Sequence, residues 1–316
     1  MKAVDLLRLL VVLLSVSRSA VASPNLPAEN ARSKCPDLHA NDVVASRASR
    51  QPGGASQSGS PWIPLDAILL RTSAQRRDLM LRTIRDQLES RHSTFNLWEL
   101  VRVLNVMRRI DREKFLPPAQ RARAYLPLSL DIGHCQTLSD AYIIALMTSA
   151  ARVESHDSVL DVGTGSGYQA AILSRLAKHV QSLEIVPQLA VQARRRLKKM
   201  GYRNIDVARA DGYRGWPKRA PFDVIIVAAG STAIPQPLLD QLRPGGRLIM
   251  PIGPTMLEEE LVLATKSSTG AVTRCTLGLA AFVPMTGQAQ SNSHSGRRSH
   301  STALSGQSQC YAAPVT

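Results

Sequence analysis

From Val159 onward the chain alternates short apolar runs with longer stretches whose apolar residues recur at three- and four-residue steps. The first pattern reads as strands and the second as helices. Val159-Leu160-Asp161-Val162 is a strand, and Gln169 to Leu176 is a helix. Val180 to Ile185 is a second strand ending near Glu184, and Leu189 to Met200 is a helix closed by Gly201. Asn204 to Ala208 is a third strand. Asp223 to Ala229 is apolar throughout after its aspartate, as a central parallel strand buried on both faces requires. Leu238 to Leu242 is a short helix, and Pro244-Gly245-Gly246 turns into the strand Arg247 to Pro251. Two further strand candidates, Glu260 to Thr265 and Ala271 to Val283, flank a Ser/Gly turn. Such alternation predicts an α/β fold with a doubly wound, mainly parallel sheet.

Before this region the pattern is helical. From Asp66 to about Arg91, Leu79, Ile84 and Leu88 share an apolar face. Leu97, Leu100, Val101, Leu104 and Met107 mark a second helix, and Pro117-Pro118 is a stop signal. A loop from Ile132 to Asp140 leads into a helix with Ile143, Leu146 and Met147 inward. On spacing alone, Thr137 or Ser139 reads as that helix's cap. The expected domain is therefore 65–286, with N-terminal helices over 65–130 and an α/β core over 131–286.

The flanks are of a different kind. Residues 1–22 have the form of a secretory signal: Lys2, the short apolar run Leu9 to Val16, and Ala20-Val21-Ala22 before Ser23. The run is too short for a permanent span, and no later segment supplies an integral membrane anchor. Residues 23–64 are rich in Ser, Ala, Pro, Gly and Asn and read as a disordered linker. The Ser/Gln/His-rich tail 287–316 also reads as disordered.

Composition changes the picture only slightly. With 316 residues, 44% of them hydrophobic, the chain can bury a substantial core. Its net charge of +15 raises the question of an anionic partner. Aromatics at 4% argue against base-stacking platforms, and Arg194-Arg195-Arg196 with Lys198-Lys199 reads as a solvated helix face, so no nucleic-acid partner is expected. The four cysteines, Cys35, Cys135, Cys275 and Cys310, form no metal-binding spacing, and no metal is expected. In an oxidising compartment some of them could pair.

The candidate chemistry lies after the first strand, in Asp161-Val162-Gly163-Thr164-Gly165-Ser166-Gly167-Tyr168. Glycines let the backbone turn sharply and approach a ligand closely, and a following helix N-terminus favours an electronegative group. The spacing is wrong for the dinucleotide fingerprint, whose third glycine would fall at Tyr168. Glu184, at the end of the next strand, can accept two hydrogen bonds from a ribose diol, and Asp211-Gly212 follows the third strand, where an acid could meet an adenine amino group. Gly163, Gly165, Gly167, Glu184, Asp211 and Gly212 are accordingly the candidate cofactor residues.

Gly-x-Gly-x-Gly after an aspartate resembles motif I of S-adenosylmethionine (SAM)-dependent methyltransferases. Further stretches resemble one family of these, the protein-L-isoaspartate O-methyltransferases. They are Arg112-Glu113-Lys114-Phe115, Ile132-Gly133-His134 with Gln136-Thr137-Leu138-Ser139, Gln192 to Leu197, Ala220-Pro221-Phe222-Asp223, Ile234-Pro235 and Phe282-Val283-Pro284-Met285-Thr286. The resemblance implies a class I, Rossmann-like fold with SAM as co-substrate and no metal. It also implies damaged, isoaspartyl-containing proteins and peptides as substrates, and a monomer. It reverses the capping assignment: Ser139 matches the family's active-site residue, and Thr137, Ser139 and Thr286 are expected to hold the substrate carboxylate. Three departures stand out. Cys135 replaces a glycine, which should restrict positive φ. Asp140-Ala141 replaces x-Pro, which should loosen the helix start and add charge beside the site. Gly230-Ser231 replaces Ala-Pro. A SAM methyltransferase for another carboxylate or small molecule, and a non-catalytic SAM-binding module, are the competing readings. The signal implies export to a periplasm-like compartment, whereas a start near Met80 would imply the cytoplasm.

Overall fold

In the computed structural model, residues 72–91, 96–255 and 258–289 are described. The expected signal 1–22 and linker 23–64 lie outside them. Two helices come first, α1 (Ser73–Arg91) and α2 (Leu97–Arg108). Asn96 caps α2, its side chain accepting from the Trp98 and Glu99 N–H groups. The buried face of α2 is Leu100, Val103, Leu104 and Met107, whereas Leu97 and Val101 are exposed. The expected face was thus correct at three positions and rotated by the other two. Pro117 and Pro118 do not leave an open loop, because Pro118–Arg123 winds into a short 3-10 helix with Pro at its first position.

The segment expected as a loop before the third helix is instead a two-stranded hairpin, β1 (Leu130–Gly133) and β2 (Gln136–Leu138). It leads into α3 (Ala141–Ala151). The main sheet follows: β3 (Ser158–Val162), α4 (Tyr168–Leu173), β4 (His179–Glu184), α5 (Pro187–Lys199), β5 (Ile205–Arg209), β6 (Phe222–Val227), α6 (Gln236–Gln241), β7 (Leu242–Ile252), β8 (Glu259–Lys266) and β9 (Val272–Ala280). Strand order is β5-β4-β3-β6-β7-β8-β9. The first five strands in that order are parallel, and β8 and β9 run antiparallel at one edge. The doubly wound, mainly parallel sheet expected from the sequence is present. Pro244-Gly245-Gly246 forms a register shift inside β7 and not a separate turn.

The sheet's two faces explain its apolar runs. Successive strand side chains point to opposite faces. Val159, Val224 and Ile226 accordingly join one core, which also holds the buried faces of α1, α2 and α3. Leu160, Ile225 and Val227 join the other, with Leu238 of α6. α5 is amphipathic in the same sense: Leu189, Ala190, Ala193 and Leu197 are buried, Pro187 starts it, and three basic residues in its last turn suit the helix dipole. Among the described residues, no helix is long and apolar enough to cross a membrane.

Candidate functional site

Strand order reverses between β3 and β6, and the carboxyl ends of β3, β4 and β6 meet there. Open α/β sheets place ligands at this point. The chain leaves β3 through the glycine turn into α4. The N–H groups of Gly163 and Thr164 both donate to the Leu183 carbonyl, at 2.8 and 3.0 Å. Gly165 adopts φ +51°, and its N–H donates to Glu184 Oε2 at 2.7 Å. Glu184 Oε1 accepts from the Val186 N–H at 2.9 Å. Buried Glu184 thus clamps the turn onto the end of β4 as well as facing the cleft. Beneath it, Thr164 Oγ1 lies 2.6 Å from Ser182 Oγ, which donates to Asp161 Oδ2 at 2.6 Å. Burial pushes the Asp161 carboxyl up to about 7, with the Glu184 charge adding and the Ser182 hydrogen bond opposing.

Two glycines have packing duties. A Cβ at Gly212 would lie 2.3 Å from Val162 Cγ1, so only glycine lets the segment after β5 pass the end of β3. Gly167 begins α4 in a left-handed conformation and abuts Leu197 of α5. It does not line the cleft.

The opposite wall is the β1–β2 hairpin. Its turn holds Gly133, His134 and Cys135 at φ +85°, +57° and +58°. The expected restriction at Cys135 is overturned: the turn is left-handed without a glycine at that position. Cys135 and Cys275 are both disulfide-bonded. Beyond the hairpin, α3 is capped by neither Thr137 nor Ser139. Asp140 is the cap, its side chain accepting from the Tyr142 N–H at 3.0 Å. The expected loosening is therefore overturned too, because an aspartate at this place satisfies a helix N–H. Burial raises the Asp140 pKa, while its own hydrogen bond and the charge of Arg112 oppose that rise.

Arg112, fully buried between the N-terminal helices and the core, is the residue that sequence reasoning missed as part of the site. Its Nε donates to the Ala124 carbonyl at 2.8 Å and its Nη2 to the Ser139 carbonyl at 2.7 Å. The guanidinium lies 5.1 Å from the Tyr168 ring centroid, and Phe115 packs edge-on to that ring. Burial lowers the Arg112 pKa. The signal was present in Arg112-Glu113-Lys114-Phe115, but nothing in the spacing tied it to Ser139.

A third wall is Phe282 to Thr286. Gly230 N–H donates to the Val283 carbonyl at 2.9 Å, and Met285 N–H returns a bond to the Gly230 carbonyl at 2.7 Å. Glu259 Oε2 accepts from the Phe282 N–H at 2.8 Å. A Cβ at Gly230 would fall 1.7 Å from Glu259 Oε1, so the departure from Ala-Pro has a physical reason: Glu259 fills the space an alanine would need. The segment 287–289, expected to be disordered, is ordered over Asp211. Gln288 N–H donates to Asp211 Oδ2 at 2.9 Å, and Arg214 Nε donates to Gln288 Oε1 at 2.8 Å.

One cleft is therefore lined by Thr137, Ser139, Gly163, Gly165, Glu184, Gly212 and Thr286. Of the candidate residues, Gly167 and Asp211 are not in its wall; Asp211 is occupied by Tyr213 N–H and Gln288. Among the described residues there is no group of three or more metal-ligating side chains. A nucleoside-type cofactor fits this arrangement, since glycines strip the floor of side chains and an acid at the tip of β4 retains lone pairs towards it.

A parallel sheet wound this way, with a glycine turn pinned to an acid on the neighbouring strand, defines a class I, Rossmann-like methyltransferase. The chain matches the model of the protein-L-isoaspartate(D-aspartate) O-methyltransferase family over residues 89–290, and it belongs to that family. It is 48% identical over 187 residues to protein-L-isoaspartate O-methyltransferase 2 of Polaromonas sp. (strain JS666), covering 59% of this chain and 89% of that protein. It is 46% identical over 187 residues to protein-L-isoaspartate O-methyltransferase of Methanoculleus marisnigri, covering 59% and 84%. A solved protein-L-isoaspartate O-methyltransferase superposes with a TM-score of 0.57 at 26% identity, covering 67% of each chain. The Plasmodium falciparum structure of a protein described as such an enzyme, in complex with S-adenosyl-L-homocysteine, shares the fold, with a TM-score of 0.53 at 23% identity over 65% of this chain and 97% of that one.

Proposed function

We propose that the protein transfers the methyl group of SAM to the free α-carboxylate of L-isoaspartyl residues in damaged proteins, which starts their repair through a succinimide. The observation that carries this reading is the cleft itself, where Ser139, held through its carbonyl by buried Arg112, faces the glycine turn pinned by Glu184. When bound, SAM supplies a sulfonium methyl carbon that a carboxylate oxygen attacks as the carbon–sulfur bond breaks, leaving S-adenosylhomocysteine. The chain has little proton chemistry to do, because a carboxylate is already ionised at neutral pH. Its work is positioning and exclusion of water. Hydroxyls of Thr137, Ser139 and Thr286 donate to the substrate carboxylate. Gly163, Gly165 and Gly212 would line the cofactor's place with backbone, and Glu184 would accept from the ribose diol with lone pairs not used by Gly165 and Val186. Asp211 reaches an adenine amino group by exchanging its contact with Gln288. Asp140 turns its carboxylate to the α3 N-terminus, where it accepts from the Tyr142 N–H.

The test is methyl transfer from labelled SAM to an isoaspartyl peptide, with the aspartyl peptide as control. Label on the isoaspartyl peptide alone supports the reading, and SAM binding without turnover would leave a non-catalytic module. Ser139→Ala should lower turnover with SAM affinity unchanged.

Export belongs to the same proposal. Lys2, the run Leu9 to Val16 and Ala20-Val21-Ala22 support it, and disulfides at Cys135 and Cys275 suit an oxidising compartment. A mature chain starting at Ser23 supports cleavage, whereas one starting near Met80 places the enzyme in the cytoplasm. A monomer completes the reading, and light scattering on the purified protein checks it.

A further inference from the structure

Beside the cofactor cleft lies a second one, of about 280 Å³, on the outer side of the glycine turn. Ser166 belongs to both clefts. Ile132 lines the second and sits where a Cβ at Gly165 would come within 3.2 Å of its Cδ1. Leu116, Pro117 and Leu189 give it an apolar floor, and Arg121 and Arg196 stand at its polar edge. Arg196 is half-buried, and its Nη1 donates to the Ser166 carbonyl at 2.6 Å. Arg121, on the 3-10 helix after Pro117, donates from Nε to the Leu116 carbonyl at 3.3 Å. Among the described residues neither guanidinium forms an ion pair with a carboxylate. Both line the same cleft; burial lowers the Arg196 pKa, and the charge of Arg121 lowers it further.

Two like charges held across an apolar cleft, each with N–H donors left over, are unfavourable until an anion joins them. A carboxylate fits, because a guanidinium presents paired donors in a planar fork. We propose that Arg121 and Arg196 form a subsite for an acidic side chain or terminal carboxylate of the polypeptide substrate, near its isoaspartyl residue. This rests on the reading of the main cleft as the isoaspartyl site, because the shared Ser166 places the subsite beside the reacting groups. Arg196 is thereby set apart from exposed Arg195 and from Arg194, whose guanidinium is held on the Val207 carbonyl.

The test compares kcat/KM for isoaspartyl peptides that carry Glu or Gln at each neighbouring position in turn. At one position the Glu peptide should be preferred about fivefold, the effect of roughly 1 kcal/mol from a partly exposed charge pair. The preference should shrink as salt is raised. Arg121→Gln, on the exposed 3-10 helix, should remove the preference of Glu over Gln peptide, and Arg196→Gln should reduce it as well. Equal values for Glu and Gln peptides at every position overturn the subsite. A preference that survives both substitutions also overturns it. No methylation of any isoaspartyl peptide instead overturns the reading of the main cleft, so the two failures are distinct.

Discussion

Two of the cleft's walls, the glycine turn and the hairpin, are built by opposite means. On the cofactor side the polar groups are tied to one another and to the backbone of the sheet. Glu184 takes two backbone N–H groups, Asp161, Ser182 and Thr164 form a buried chain, and Gly212 touches Val162 with no space to spare. On the substrate side, the nine-residue hairpin Leu130 to Leu138 carries Thr137 and leads into Ser139, and its turn places two non-glycine residues in the left-handed region. Behind it a buried cation, Arg112, bonds to the Ser139 carbonyl. The cofactor wall is part of the sheet, so its geometry is fixed by the same packing that makes the fold. The substrate wall is an attachment: Leu130, Ile132 and Leu138 dock it in the core, Cys135 is disulfide-bonded, and Arg112 holds the Ser139 carbonyl. Its sequence can therefore vary, as at Cys135 and Asp140, without disturbing the sheet.

If that contrast is right, the largest effect should come from Gly165→Val. A β-branched residue at φ +51° is strained, and its side chain would press on Ile132. A loss of SAM affinity of about 100-fold or more, corresponding to about 3 kcal/mol, is expected by calorimetry on the folded variant. Unchanged affinity would show that the turn is not the cofactor's floor.

Next in size is Arg112→Met, which leaves the Ala124 and Ser139 carbonyls without their donors. At about 1–3 kcal/mol for each buried unsatisfied group, thermal stability should fall. Turnover on isoaspartyl peptide should fall about tenfold or more, with SAM affinity within about twofold of the parent. Arg112→Lys should recover part of both losses. Equal losses of SAM binding and turnover would mean that the walls are not independent. Glu184→Ala should weaken SAM by roughly 1.5–3 kcal/mol, through lost ribose bonds and a freed Gly165 N–H. It should leave the KM for peptide nearly unchanged under saturating SAM.

The smallest effect concerns pH. With its carboxyl raised to about 7 in the folded chain, Asp161 contributes its full stability below the unfolded value of about 4. As pH climbs from there to 7 the unfolded chain ionises first, folding takes up a proton, and stability is lost; above 7 the loss levels off. Asp161→Asn does not titrate. Its advantage over the parent in urea denaturation should therefore grow between pH 5 and pH 8, and a constant difference would show that Asp161 is ionised in the fold.

Legibility in the sequence followed the same division. β6 was readable because a strand buried on both faces is apolar along its length, whereas β3 and β4 bury Asp161, Gln181 and Ser182 and were readable from the strand–helix alternation around them. Gly163, Gly165 and Glu184 were readable because their spacing follows from one turn between two adjacent strands. The hairpin was not, since four- and three-residue strands around a polar turn leave no alternation to detect. Arg112 was illegible as a site residue because its partner lies 27 positions away and is a carbonyl, a group every residue has. Asp211 was legible as an acid after β5, but its capture by Gln288 depends on where the tail returns. The assignment of Ser139 came from the resemblance to a known family. Spacing alone pointed to a cap, and the true cap is its neighbour Asp140.

The contact between Gly230 and Glu259 imposes a direction on how such a chain is reached by single substitutions. With alanine at 230, a glutamate at 259 in its present rotamer has nowhere to place its carboxylate, and the Phe282 N–H loses that acceptor. With glycine at 230, either small or large residues are sterically admissible at 259. The glycine is therefore the permissive change and the glutamate the dependent one. Once both are in place, reverting residue 230 alone meets the carboxylate that now occupies its space, which makes the pair easier to enter than to leave.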